Sequence, residues 1–245
     1  MTPDSTTTFA NAFDAGPLVI GHRGAAGLAP ENTLPGFRRA WQLDVFAVEL
    51  DVQLVDGVLI VLHDSTLDRT TNVRGPVTDL SLAELRMVDA GGGAAVPLLA
   101  EVVKELPTGS GLNIELKGAR TAGPTAEFIA ANPIRNLLVS SFDHAELRRF
   151  RELDQQTPVA PLFGRWQGDP WATAAQLNAC AINLSRRIAA APILEEACRR
   201  GLATWIYTVN DLAEAQRLVA LGATGVFTDY PDRITRAALA GQTPA

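Results

Sequence analysis

Short apolar runs recur along the chain, separated by stretches in which apolar positions return every three to four residues. The runs predict strands near 18–22, 46–51, 112–117, 137–141, 158–162, 180–184, 203–208 and 225–228. The periodic stretches predict helices near 33–42, 98–106, 124–131, 144–153, 171–177, 192–200, 211–221 and 231–239. Several helices carry start and stop signals. Asp143 precedes Glu146 by three residues, the spacing of a reciprocal capping box, and Asn210 or Asp211 can cap the helix that follows. Gly201 and Gly222 stand where helices should end. Strand and helix in strict alternation imply a parallel sheet covered by helices, and eight of each is the count of an α/β (β/α)₈ TIM barrel.

One region breaks the alternation. After Glu49-Leu50-Asp51 the strand continues to Val55, meets Asp56-Gly57, and returns as Val58 to Leu62, which predicts a hairpin reaching beyond the barrel rim. A two-residue Asp56-Gly57 loop would pair Leu50 with His63 and put the histidine on the face opposite Glu49 and Asp51. A three-residue loop, Val55-Asp56-Gly57, would pair Glu49 with His63 and bring all three together. The second register is the one expected if His63 works with those carboxylates. Residues 64–97 hold Thr, Asn, Gly and Pro punctuation and one short helical piece at Ser81–Val88. They read as an insertion over the barrel mouth without a core of its own. Residues 1–16 read as a flexible N-terminal arm and 17–245 as a single domain. No internal repeat is visible.

Composition narrows the classes. A net charge of −6, with no Lys/Arg run, argues against a nucleic-acid surface. No run approaches the roughly 20 apolar residues of a membrane span. The Ser/Thr-rich start lacks the features of a signal peptide. A cytoplasmic location is therefore expected, with the oligomeric state open. Cys180 and Cys198 fit neither a zinc spacing nor a disulfide framework and are expected as buried thiols.

The polar residues at the strand ends carry the chemistry. Glu49 and Asp51, two apart on one strand, point to the same face, and Glu115 ends the neighbouring core strand. An all-oxygen donor set suits one hard divalent cation, Mg²⁺ or Ca²⁺. His22 and His63, two of only three histidines, also fall at strand ends, where barrel active sites gather. Near neutral pH one can take a proton while the other gives one. His144 starts a helix behind Asp143 and is assigned a peripheral role. Arg23 and Lys117 supply positive charge for a phosphate. Gly21 and Gly24 permit close backbone approach. The Walker loop and the Gly-x-Ser-x-Gly elbow are absent, and Gly91-Gly92-Gly93 reads as a bend.

Taken in order, Gly21-His22-Arg23-Gly24, Pro30-Glu31-Asn32-Thr33, Glu49-Leu50-Asp51-Val52, His63-Asp64 and Glu115-Leu116-Lys117 resemble the glycerophosphodiester phosphodiesterase family. Ser140-Ser141-Phe142, Tyr207-Thr208-Val209-Asn210 and Thr228-Asp229-Tyr230-Pro231 add weaker matches, so the resemblance spans about residues 18–235. It implies a barrel with a small insertion after His63-Asp64, a cation on Glu49, Asp51 and Glu115, and His22 and His63 as acid and base. It implies Arg23 and Lys117 as phosphate contacts, with Glu31, Asn32 and Tyr207 as further candidate substrate contacts. The implied reaction splits a glycerophosphodiester, a small-molecule substrate, into sn-glycerol 3-phosphate and an alcohol, with attack by the glycerol 2-hydroxyl and a cyclic phosphate opened by water. Tyr207 departs from the tryptophan common in the family, and Trp205 lies two residues earlier on the same face. The tyrosine hydroxyl needs a partner. Phe142 and Phe163 are candidates for an apolar wall. A lysophospholipase D acting on lysolipids is the nearest alternative, although no apolar lip is evident in the sequence. A noncatalytic phosphodiester-binding barrel is the alternative outside enzymes, and the histidines and phosphate cations argue against a glycoside hydrolase.

Overall fold

The computed structural model describes residues 7–241 apart from 15, 44 and 167. All eight predicted core strands form. They are β1 (Leu18–Gly21), β2 (Ala47–Val55), β4 (Gly111–Leu116), β5 (Leu137–Ser141), β6 (Val159–Phe163), β7 (Ala181–Ser185), β8 (Ala203–Tyr207) and β9 (Gly225–Thr228), with β3 (Val58–Val61) as the hairpin return. The eight core strands are parallel in the order β1-β9-β8-β7-β6-β5-β4-β2, and pairing of β1 with β2 closes the barrel. Successive side chains alternate between two cores. Val48, Leu50 and Val52 face the helices, in a layer with Ile114, Ile182 and Ile206. Ala47, Leu138, Ala181, Trp205 and Phe227 fill the barrel interior.

The helices expected between strands are present at α1 (Leu34–Trp41), α3 (Leu99–Glu105), α4 (Ala122–Ala131), α5 (His144–Leu153), α6 (Pro170–Gln176), α7 (Ala191–Arg199) and α8 (Leu212–Ala220). Gly201 and Gly222, at φ 68° and 103°, end α7 and α8 as expected. Asp211 caps α8 by accepting from the Glu214 amide, and Asn210 is used elsewhere. The expected box at Asp143 is only half made. Asp143 accepts from the amides of Ala145 and Glu146, but the buried Glu146 carboxylate turns away to accept from the Ala122 amide and from Arg149. The helix expected at 231–239 shrinks to α9 (Arg236–Leu239), because Thr235 adopts an extended conformation and caps the Ala238 amide with its side chain.

Residues 1–16, expected as an arm, include a 3₁₀ helix over Phe9–Asp14. The Phe9 ring stands edge-on to Phe46 and Trp205 at centroid distances of 5.1 and 5.2 Å, and its amide donates to Asn136 Oδ1 at 2.9 Å. It closes the end of the barrel away from the strand C-termini. The insertion carries the short helix α2 (Leu82–Leu85) and buries an apolar cluster, with Leu67, Val77, Leu85, Val88 and Val96 packed on Val55, Ile60 and Leu62 of the hairpin. The hairpin supplies one wall of this cluster, so the insertion shares its apolar packing with β2 and β3. Cys198 is exposed and Cys180 half-buried, against the expectation of two buried thiols. The Cys198 position lies on the outer surface of α7, whose inward face is taken by Leu194 and Ala197. Among the described residues no helix is long and apolar enough to cross a membrane.

Candidate active site

The strand register gathers the acids. Pairing of β2 with β4 sets Asp51 beside Glu115 and Glu49 beside Asn113, on the inward face of the barrel. One carboxylate oxygen from each of Glu49, Asp51 and Glu115 lies within 4.8 Å of the others, and all three side chains are buried. Their surroundings meet part of their hydrogen-bonding capacity. The Arg23 amide donates to Glu49 Oε2 at 2.8 Å, Asn32 Nδ2 to Asp51 Oδ2 at 2.8 Å and Lys117 Nζ to Glu115 Oε1 at 2.7 Å. Glu49 Oε1 and Asp51 Oδ1 are buried without a hydrogen-bond donor. Burial, and then the charges of Asp51 and Glu115, raise the Glu49 pKa well above the ordinary carboxylate range. Burial and Asp51 push Glu115 up to about 7. Three converging oxygens, two of them unsatisfied acceptors, fit a divalent cation.

The backbone at the end of β1 is bent to serve this cluster. A Cβ on Gly24 would stand 2.7 Å from the Gly36 carbonyl carbon, and Gly24 itself is at φ 85°. Arg23 at φ 51° and Asn32 at φ 54° occupy the left-handed region that non-glycine residues seldom use. These bends aim the Arg23 amide at Glu49 and the Asn32 side chain at Asp51. Such strain is tolerated where the surroundings over-determine it, as at functional sites.

Each strand-end histidine is held by a carboxylate. His22 Nδ1 donates to Asp229 Oδ1 at 2.7 Å, and Asp229 is itself held by Asn210 Nδ2 at 2.6 Å. His63 Nδ1 donates to Asp64 Oδ1 at 2.5 Å, while Asp64 Oδ2 accepts from Arg69 Nε at 2.6 Å. Carboxylate acceptors place the proton on Nδ1 of both rings and leave Nε2 for the pocket. The Asp64 pKa is held below the usual range, first by the Arg69 hydrogen bond. His63 is shifted down by burial, against the opposing effects of Asp51 and Asp64.

The hairpin reaches this arrangement by a route other than the expected one. β2 and β3 pair as Val52↔Val61 through Val55↔Val58, so the loop is the two-residue Asp56-Gly57, with both residues at positive φ. That register would send His63 to the wrong face if the ladder continued. It stops instead at Leu62, whose amide donates to the Asp51 carbonyl. Gln53 then captures the departing backbone, its Nε2 donating to the carbonyls of Leu62 and Asp64 at 2.8 and 2.7 Å. His63 joins the site because the strand ends, not because of its register.

A cavity of about 160 Å³ opens over these groups. His22, Arg23, Glu49, His63, Glu115 and Lys117 line its polar side, and Phe142, Leu162, Tyr207 and Phe227 its apolar side. Lys117 Nζ lies 5.3 Å from the Phe142 ring centroid, and Phe142 meets Tyr207 edge-on at 5.6 Å. The Tyr207 hydroxyl is buried with no hydrogen-bond partner in the protein, as its departure from tryptophan foreshadows. Trp205 lies deeper, against Phe9. Phe163 is buried beside His144 and does not line the cavity; His144 Nε2 donates to the Leu162 carbonyl, a peripheral role. Glu31 and Asn32 are brought to the site but stand behind its lining, Glu31 on Arg23 and Asn32 on Asp51. Gln53, Asp64, Arg69 and Asp229 are the residues that sequence reasoning left without a role, and Asn210, expected as a helix cap, holds Asp229 instead. Asp64, Asn210 and Asp229 fall inside quoted motifs, and Gln53 continues the Glu49–Asp51 face, so a signal existed for those four.

Acidic strand ends able to share a cation, two carboxylate-held histidines and two flanking cations at the C-terminal mouth of a (β/α)₈ barrel define an enzyme of the metal-assisted hydrolase class. Comparison with known proteins makes that class specific. Residues 22–233 match the model of the glycerophosphoryl diester phosphodiesterase family, and the chain belongs to that family. A glycerophosphodiester phosphodiesterase of Caldanaerobacter subterraneus is 33% identical over 233 residues, covering 89% of this chain and 96% of the relative. One from Bacillus subtilis is 33% identical over 248 residues, covering 88% and 84%. Among solved structures, a phosphodiesterase from Oleispira antarctica in complex with its product sn-glycerol-3-phosphate superposes with a TM-score of 0.87 at 29% identity, covering 94% of this chain and 99% of that one. A glycerophosphodiester phosphodiesterase from Agrobacterium tumefaciens gives 0.78 at 30% identity, covering 88% and 97%.

Proposed function

We propose that the protein hydrolyses glycerophosphodiesters to sn-glycerol 3-phosphate and an alcohol, with Mg²⁺ or Ca²⁺ held by Glu49, Asp51 and Glu115. The observation that carries this reading is the convergence of two carboxylate-held histidines, Glu49 and Glu115 on one pocket, with an Asp51 oxygen within 4.8 Å of both acids. When bound, the cation supplies charge neutralisation for the phosphate and for glycerol oxygens. Arg23 and Lys117 flank the same space and hold the phosphate, adding positive charge where negative charge accumulates in the transition state. One histidine Nε2 removes the proton of the glycerol 2-hydroxyl as its oxygen bonds to phosphorus, and the other protonates the departing alkoxide. The cyclic phosphate is opened by water with the two roles exchanged. Tyr207 and Phe142 form the wall against which the carbon skeleton rests.

The test is release of sn-glycerol 3-phosphate from several glycerophosphodiesters, with chelator and with each metal restored. Activity should vanish with chelator. His22→Ala and His63→Ala should each lower kcat by about 10²–10⁴-fold, with the melting temperature preserved. Chelator-insensitive turnover, or full activity in both variants, would overturn the reading. One observation bears on a second substrate class: Phe142, which lines the pocket, is 46% exposed, an apolar side chain that an acyl chain could meet. Lysophosphatidylcholine as substrate, with release of choline and lysophosphatidic acid followed, discriminates between them.

A further inference from the structure

We propose that Arg69, in the insertion, is a positioning residue that sets His63 and Arg23 together. The inference rests on the hydrolase reading above. Arg69 presents three nitrogens to two carboxylates. Nε donates to Asp64 Oδ2 at 2.6 Å, while the two terminal nitrogens donate to Glu31 Oε2 and Oε1 at 2.6 and 2.8 Å. Each carboxylate is also shared with a residue lining the pocket. Asp64 accepts from His63 Nδ1 at 2.5 Å and Glu31 from an Arg23 terminal nitrogen at 2.7 Å. The result is one unbroken chain, His63–Asp64–Arg69–Glu31–Arg23, that crosses from the hairpin exit to the end of β1.

Its two arms do different things. On the Asp64 side, the single Arg69 Nε donor anchors Oδ2 and so steadies the carboxylate that holds the imidazole ring; this arm acts on the proton-transfer step. On the Glu31 side, the carboxylate stands against Arg23, and alone it would cancel the charge Arg23 offers a phosphate. Arg69 takes both Glu31 oxygens in a bidentate grip and compensates that negative charge. Arg23 keeps its remaining donors, with Nε buried and unpartnered beside Asp51. This arm acts on substrate binding. Lysine could not do both, since one ammonium has no planar fork to span two carboxylates.

Nothing in its surroundings makes Arg69 a pillar of the fold. Its side chain is 47% exposed, and the apolar cluster beneath the insertion is built from other residues. Arg69→Ala should therefore remain folded, with kcat about 10–100-fold lower and KM for a glycerophosphodiester several-fold higher. The double variant Arg69→Ala/Glu31→Gln separates the arms. Removing the uncompensated Glu31 charge should return KM toward the wild-type value while kcat stays low. Arg69→Lys should fall short of full kcat, and it carries the test if the alanine variant fails to fold. Wild-type kcat and KM in Arg69→Ala, or wild-type kcat in Arg69→Lys, would overturn the proposal. So would a double variant whose KM equals that of Arg69→Ala. Full activity in both His22→Ala and His63→Ala would instead overturn the hydrolase reading, which keeps the two failures distinct.

Discussion

Three carboxyl groups packed together out of water cannot all carry charge without help, and that gives the site a measurable signature. Glu49 and Glu115 both hold protons more tightly in the folded chain than an ordinary carboxylate at 4.5 would. A carboxyl whose folded pKa is raised stabilises the fold below its unfolded pKa and loses that contribution as pH rises through the folded value. The protein stripped of divalent cations should therefore lose stability as pH climbs from about 4.5 through about 7. A bound cation competes with those protons, so it should raise the melting temperature more at pH 8 than at pH 5. Thermal melts with chelator, Mg²⁺ and Ca²⁺ at the two pH values check this. An equal shift at both would remove the acidic trio as the cation's seat.

At the scale of elements, the second strand and its hairpin matter most. Glu49, Asp51 and Gln53 occupy one face of β2, two acids converging with Glu115 and one amide catching the returning chain. Gln53→Leu should lower kcat about 10–100-fold by releasing His63. The two lost hydrogen bonds should cost about 0.5–1.5 kcal/mol of stability each. Steady-state kinetics beside a melt decide it, and wild-type kcat would show that His63 is placed without this clamp. The hairpin also shows where sequence reading stops. Asp-Gly between apolar runs dictates a tight turn by local backbone preference, and the three-residue alternative asked that preference to yield to function. It did not yield. A strand exit followed by one side-chain capture achieved the same placement, and an exit bend has no periodic signature in the chain.

Over the whole molecule, the barrel was legible because its signals are local: an apolar run, a polar strand end, a capping residue, a glycine stop. The acids, histidines and basic residues gathered at the pocket were legible for the same reason. Their holders were not. Asp229 reaches His22 across 207 positions of sequence, and Arg69 reaches Glu31 across 38, as ordinary charged residues on loops that only barrel closure and the folded insertion bring near. The insertion's apolar cluster escaped notice because Val55, Ile60 and Leu62, which complete it, lie on the hairpin.

Phe9, wedged edge-on between Phe46 and Trp205, belongs to a packed barrel interior with Ala47, Leu138 and Phe227, and the pocket lies at the strand C-termini above it. If Glu49, Asp51 and Glu115 hold the cation and Arg23 and Lys117 the phosphate, as proposed, the glycerol phosphate sits deeper than the alcohol. The alcohol, nearest the rim, leaves ahead of the glycerol phosphate, and the order of exit is written into inhibition kinetics. Added sn-glycerol 3-phosphate should compete with substrate, while the alcohol should lower the maximal rate without competing. Initial-rate measurements with each product varied against substrate test the sequence, and a competitive alcohol would reverse it. A barrel packed solid beneath its pocket would thus send both products out on the same side, one behind the other.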